Sequence, residues 1–83
     1  MLSKLIEINN KLLTKYEQEN NKDKVYRHKI IKALLTNKNC FFEMSIEDAY
    51  NILDDLGYKE EEMKGIYTSL VNSEEYKKYI TGD

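Results

Sequence analysis

No proline interrupts the 83 residues of this chain, and it contains only three glycines. A sandwich or barrel of many short strands turns about every 8–12 residues and depends on those two residue types to do so. That architecture is excluded. Apolar residues make up 41% of the chain and charged residues 34%, which is too hydrophobic for a disordered tail. The expectation is an all-α protein, a small compact bundle of four main helices plus a short C-terminal helix, forming one domain over residues 1–83. A chain this short builds one thin core and leaves little room for a deep cleft.

The spacing of apolar residues places the helices. Leu2, Leu5, Ile8, Leu12 and Tyr16 recur at intervals of three or four, predicting a first helix over 3–19 that Asn20-Asn21 ends. The repeat covers barely two heptads and puts Asn9 in the seam, too short for a coiled coil. A second helix over 23–36 carries Tyr26, Ile30, Ala33 and Leu34, with Val25, Ile31 and Leu35, as its expected core face. With seven apolar residues among its fourteen it is expected to be central. Thr36-Asn37-Lys38-Asn39 breaks it, because short polar side chains compete with the helical backbone for hydrogen bonds. Cys40-Phe41-Phe42-Glu43-Met44 has strand propensity but no second strand to pair with, so it is expected as a loop plugging the bundle.

Ser45 has the form of an N-cap, with Glu47 and Asp48 in the favoured first turn. Ile46, Ala49, Tyr50, Leu53 and Leu56 follow at helical spacing, and Gly57 suits a left-handed stop. Glu60-Glu61-Glu62 opens the next helix, whose apolar face is Met63, Ile66, Tyr67, Leu70 and Val71. On its other side Glu61, Gly65, Thr68, Ser69 and Asn72 make a face of mostly small residues, open to close approach by the first helix or by a partner. Ser73 then caps a short last helix carrying Tyr76, Tyr79 and Ile80.

The net charge of −2 conceals a sharp division. Residues 1–39 hold nine Lys/Arg against four Asp/Glu, a net +5, and residues 40–83 hold four against eleven, a net −7. The single cysteine, Cys40, has no intrachain partner, which fits a reducing compartment. No apolar run approaches the roughly 18 residues of a membrane span, and the opening residues lack a signal peptide's apolar core. A cytoplasmic protein without a membrane role is expected. Lys, Asn, Ile and Tyr, all with A/T-rich codons, fill 35 positions. This points to an AT-rich source such as a low-GC bacterium, its phages or its plasmids.

Between Glu43 and Glu62 stand eight carboxylates and one base, Lys59. Four of them have a helix-dipole reason for their place, but Asp54 and Asp55 occupy the last turn of a helix, where anions are disfavoured. These two, with Tyr58, Glu60, Glu61 and Glu62, are the expected contacts for a basic protein partner. Seven tyrosines exceed what a thin core can hide. Tyr50 and Tyr67 are expected in the core, and Tyr76 and Tyr79 join Tyr58 as interface candidates. The rival surface is basic: Lys22, Lys24, Arg27, Lys29 and Lys32, with His28 among them, would contact nucleic-acid phosphates without reading bases. A DNA-reading helix beginning Glu60-Glu61-Glu62 would repel phosphates. The segment Asp54–Glu61 lacks ligands at the alternate positions of a calcium loop, and the lone Cys40 and His28 make neither a zinc set nor a persuasive nucleophile pair. No metal or cofactor is expected. The sequence-level reading is a non-catalytic binding module, a small regulator or inhibitor. The alternatives are a nucleic-acid accessory protein and a self-associating one, because opposite halves can pair between copies.

Overall fold

Short polar residues set the ends of the helices. In a computed structural model describing residues 2–82, the chain is all-α. The order is α1 (Leu2–Gln18), α2 (Lys22–Thr36), α3 (Lys38–Glu43), α4 (Ile46–Asp55), α5 (Glu60–Val71) and α6 (Glu74–Thr81). At the end of α1, Asn20 takes a left-handed φ of 56°, and the Asn21 N–H reaches back to the Tyr16 carbonyl at 3.0 Å. The same closure ends α4, with Gly57 at φ 100° and the Tyr58 N–H on the Leu53 carbonyl at 3.2 Å. Asn21, Ser45 and Ser73 each accept a backbone N–H through a side-chain oxygen at the start of α2, α4 and α6. At the head of α5 the Glu62 carboxylate accepts the Lys59 N–H at 3.0 Å.

Segment 38–43 departs from the sequence reading: it is a helix rather than a loop. Only Asn37 leaves helical geometry, and the Cys40 N–H bonds back to its carbonyl at 3.0 Å. With no strand to pair with, the segment satisfies its backbone locally by coiling. It still plugs the bundle, because Phe41 is buried.

The core gathers Leu2 and Leu5 of α1, Ile31 and Leu35 of α2, Phe41, then Ala49, Ile52 and Leu53 of α4, Leu56, and Met63 and Leu70 of α5. Tyr50 and Tyr67 pack against it and meet edge to face at 5.9 Å, joining α4 to α5. Ile46, expected in this core, is 58% exposed, and Ile52 fills that role instead. The face of α2 is also corrected. His28, Ile31 and Leu35 turn inward, while Tyr26 is 71% exposed and Ile30 and Ala33 lie outside. The helix flanks the core on one side and presents apolar residues on both.

The helices α1 and α2 form the most extensive interhelical contact, an antiparallel hairpin. Full burial stops at Asn9 on α1 and His28 on α2. Beyond that level Leu12, Leu13, Tyr16 and Val25 are only half-buried, so the hairpin tip projects from the body. This accounts for the elongated envelope of 42 × 28 × 19 Å. The small-residue face of α5 is exposed, and a Cβ added at Gly65 would meet nothing within 4 Å. Among the described residues no helix packs on it, so the first helix is not its partner.

Removing the ring of Phe41 leaves a cavity in this thin core. Phe41→Ala is expected to cost about 3–5 kcal/mol in urea unfolding, against roughly 0.5 kcal/mol or less for Ile46→Ala.

Candidate functional site

The turn between α4 and α5 brings the acidic residues together. The left-handed Gly57 reverses the chain and leaves Tyr58 half-buried against the core, with its neighbours directed outward. Tyr50, Asn51, Asp54, Tyr58, Lys59, Glu60 and Met63 line a shallow groove of about 340 Å³. Asp54, Glu60, Glu61 and Glu62 are exposed, and none has an ion-pair partner among the described residues. The groove therefore offers aromatic surface edged by unpaired carboxylates, with Lys59 the one base in its lining.

Asp55 behaves differently from Asp54. Its carboxylate accepts from Arg27 Nε at 2.7 Å, linking α4 to α2 with both side chains partly exposed. The pair withdraws one residue from each expected surface and uses it as a tie between elements. At this exposure it contributes at most about 1 kcal/mol.

The basic residues are also divided. Lys22, Lys24, Lys29 and Lys32 are exposed, but His28 is buried and no part of a solvated face. The reason lies in α1. Asn9 Nδ2 donates to the His28 carbonyl at 2.9 Å, and the same amide meets His28 Nδ1 at 2.7 Å. A carbonyl only accepts, so the amide nitrogen faces it and the amide oxygen faces the ring. His28 Nδ1 must then carry the proton. The Tyr16 ring stands beside the imidazole, with centroids 5.2 Å apart. Burial lowers the His28 pKa from its ordinary 6.5, assisted by Lys24 and Arg27 and opposed by Asp55.

Tyr76 and Tyr79 hold α6 to α3. Both pack on Phe42, Tyr76 edge to face at 5.1 Å and Tyr79 tilted at 5.7 Å, and the Tyr79 hydroxyl donates to Glu43 at 3.4 Å. Burial first, then the Glu43 charge, raises the Tyr79 pKa. These two rings are half-buried and lie apart from the α4–α5 groove. Cys40 lines a separate cleft of about 350 Å³ with Arg27, Leu34 and Asp48, and no hydrogen bond joins it to His28 among the described residues.

Sequence reasoning missed the exposed Tyr26 and Ile30. One signal was available: His28, Ile31 and Leu35 also stand at helical spacing, and Asn9 is a polar residue in the facing seam able to satisfy a histidine. Among the described residues no helix is long and apolar enough to cross a membrane, and no three His, Cys, Asp or Glu gather as a metal site. The chain matches no protein-family model, no curated protein and no solved structure.

The histidine sets a pH dependence. Its folded pKa lies below 6.5, so the unfolded chain takes the proton first as pH falls. The stability contributed by neutral His28 is complete above that value and declines below it. Urea unfolding at pH 7.5, 6.5 and 5.5 is expected to show falling stability, with a smaller change in His28→Gln.

Proposed function

We propose that the protein is a non-catalytic binding module that docks its acidic α4–α5 surface on a basic protein partner. The observation that carries this reading is the groove where Tyr58 and Tyr50 lie among Asp54 and Glu60. Aromatic rings supply contact area at small rotamer cost, and unpaired carboxylates steer a cationic partner toward them. Exposed Glu61 and Glu62 extend the charge along the first turn of α5. Binding at such a site is stoichiometric and weakens with salt, because its charges are exposed. A small regulator or inhibitor in the cytoplasm of a bacterium, or encoded by its phages or plasmids, fits this mode of action.

Reversing Asp54, Glu60 and Glu61 to lysine replaces attraction by repulsion without touching the core. In affinity capture from a nuclease-treated low-GC bacterial lysate, the native chain is expected to retain a basic protein that the triple variant loses, with circular dichroism unchanged. Equal capture by both would refute the acidic site. Capture that disappears only on nuclease treatment would favour the nucleic-acid reading.

A further inference from the structure

The inward turn of His28 gives α2 a second apolar face. At 100° per residue, Tyr26, Ile30 and Ala33 centre roughly 170° from His28, Ile31 and Leu35, directly away from the core. Tyr26 is 71% exposed and Ile30 is 37% exposed, both large side chains in water on a chain with few such residues. Lys22, Lys29 and Lys32 run along one flank of this stripe and are exposed. Lys22, Val25, Tyr26 and Lys29 also line a shallow depression of about 380 Å³ that continues onto the hairpin tip at Glu17.

The arrangement limits what can cover it. A duplex backbone would satisfy the lysines and leave Tyr26 and Ile30 against phosphate, where neither ring nor methyl groups gain, and Ile30 offers no platform for an unpaired base. Two α2 faces paired antiparallel about a two-fold axis would set lysine flank against lysine flank. A matching surface carries apolar groups edged by carboxylates, and this chain possesses one: Tyr50 and Tyr58 among Asp54 and Glu60, with Lys59 the one base, exposed Glu61 beside them on α5 and exposed Ile46 at the head of α4. Both surfaces point away from the core, so one molecule does not bring its own two together.

We infer that the outward face of α2 docks on the acidic α4–α5 surface of a second copy, giving head-to-tail association between unlike faces. The inference rests on the proposed binding role of the acidic surface and names a partner for it. Unlike faces pair without using each other up, since every added copy presents a free face at either end. Growth runs to a ring where the rotation between copies closes and is open-ended where it does not; in both cases it depends on concentration and is reversed by salt.

Two variants test it. One reverses Lys22, Lys29 and Lys32 to glutamate; the other reverses Asp54, Glu60 and Glu61 to lysine. All six residues are exposed, and circular dichroism reports whether each variant folds. In sedimentation velocity at about 50 mM salt, the native chain is expected to gain mass from 10 to 500 µM and to return to 9.9 kDa near 500 mM salt. Each variant alone carries two faces of like charge and remains monomeric. Mixed in equal amounts, they regain complementary faces and associate. A native chain monomeric throughout, or growth undiminished in the lysine-reversed variant, overturns the inference. Capture of a basic lysate protein by the lysine-reversed variant, whose acidic surface is intact, reports separately on the binding role and survives or fails on its own.

Discussion

One amide decides how α2 faces its surroundings. Asn9 engages both the backbone carbonyl and the ring nitrogen of His28, two bonds 2.9 and 2.7 Å long, at a level where the hairpin is fully buried. A helix packed against a neighbour has essentially one free rotation about its axis. Once the imidazole is held inward, every other residue of α2 has its direction. Ile31 and Leu35 follow His28 into the core, and Tyr26, Ile30 and Ala33 are carried outside. Turning α2 to bury Tyr26 and Ile30 would expose Ile31 and Leu35 in exchange, so the apolar gains and losses largely offset, whereas each buried donor or acceptor left unmade costs about 1–3 kcal/mol. The polar pair therefore prevails over the apolar stripe.

The same clasp shapes the molecule. It is the outermost fully buried layer of the hairpin, and beyond it α1 and α2 continue as a two-helix projection with half-buried apolar residues. At the opposite end, the short helices α3 to α6 close the core by small contacts: Phe42 against Tyr76 and Tyr79, Tyr50 against Tyr67, and Arg27 against Asp55. Two of the three use residues that the sequence pointed to as binding candidates: Tyr76 with Tyr79, and Arg27 with Asp55. In a chain this short the supply of aromatic and charged groups serves structure and surface together, and the fold divides them.

The charge division takes on meaning in that division. Arg27 and Asp55 neutralise each other where α2 passes α4, leaving three lysines along the outward side of α2 and the carboxylates of the α4–α5 turn unpaired. Both uncompensated sets sit beside exposed or half-exposed aromatic groups. A solvated charge needs no aromatic neighbour; their coincidence on two separate faces is what the binding role and the proposed self-association draw upon.

The residues alone determined the helical class and most helix ends. Asn20, Ser45, Gly57 and Ser73 act through local backbone geometry, and a local effect is legible without knowing what lies across the core. The buried faces of α1 and α5 were legible for a related reason, since each has a single apolar stripe. The orientation of α2 was not, because it carries two. Which stripe is buried depends on the partner that α1 presents, a contact spanning 19 positions of sequence. Segment 38–43, expected as a loop, was not legible as a helix because six residues carry no helical stripe of their own; it coils where its N–H groups close on Asn37 and Phe41 enters the core. The acidic residues could be found from their spacing, but the separation of Asp54 from Asp55 required Arg27 to come beside one and not the other. Local chemistry is written in order along the chain, whereas a helix's rotation and a charge's partner are properties of what packs against them.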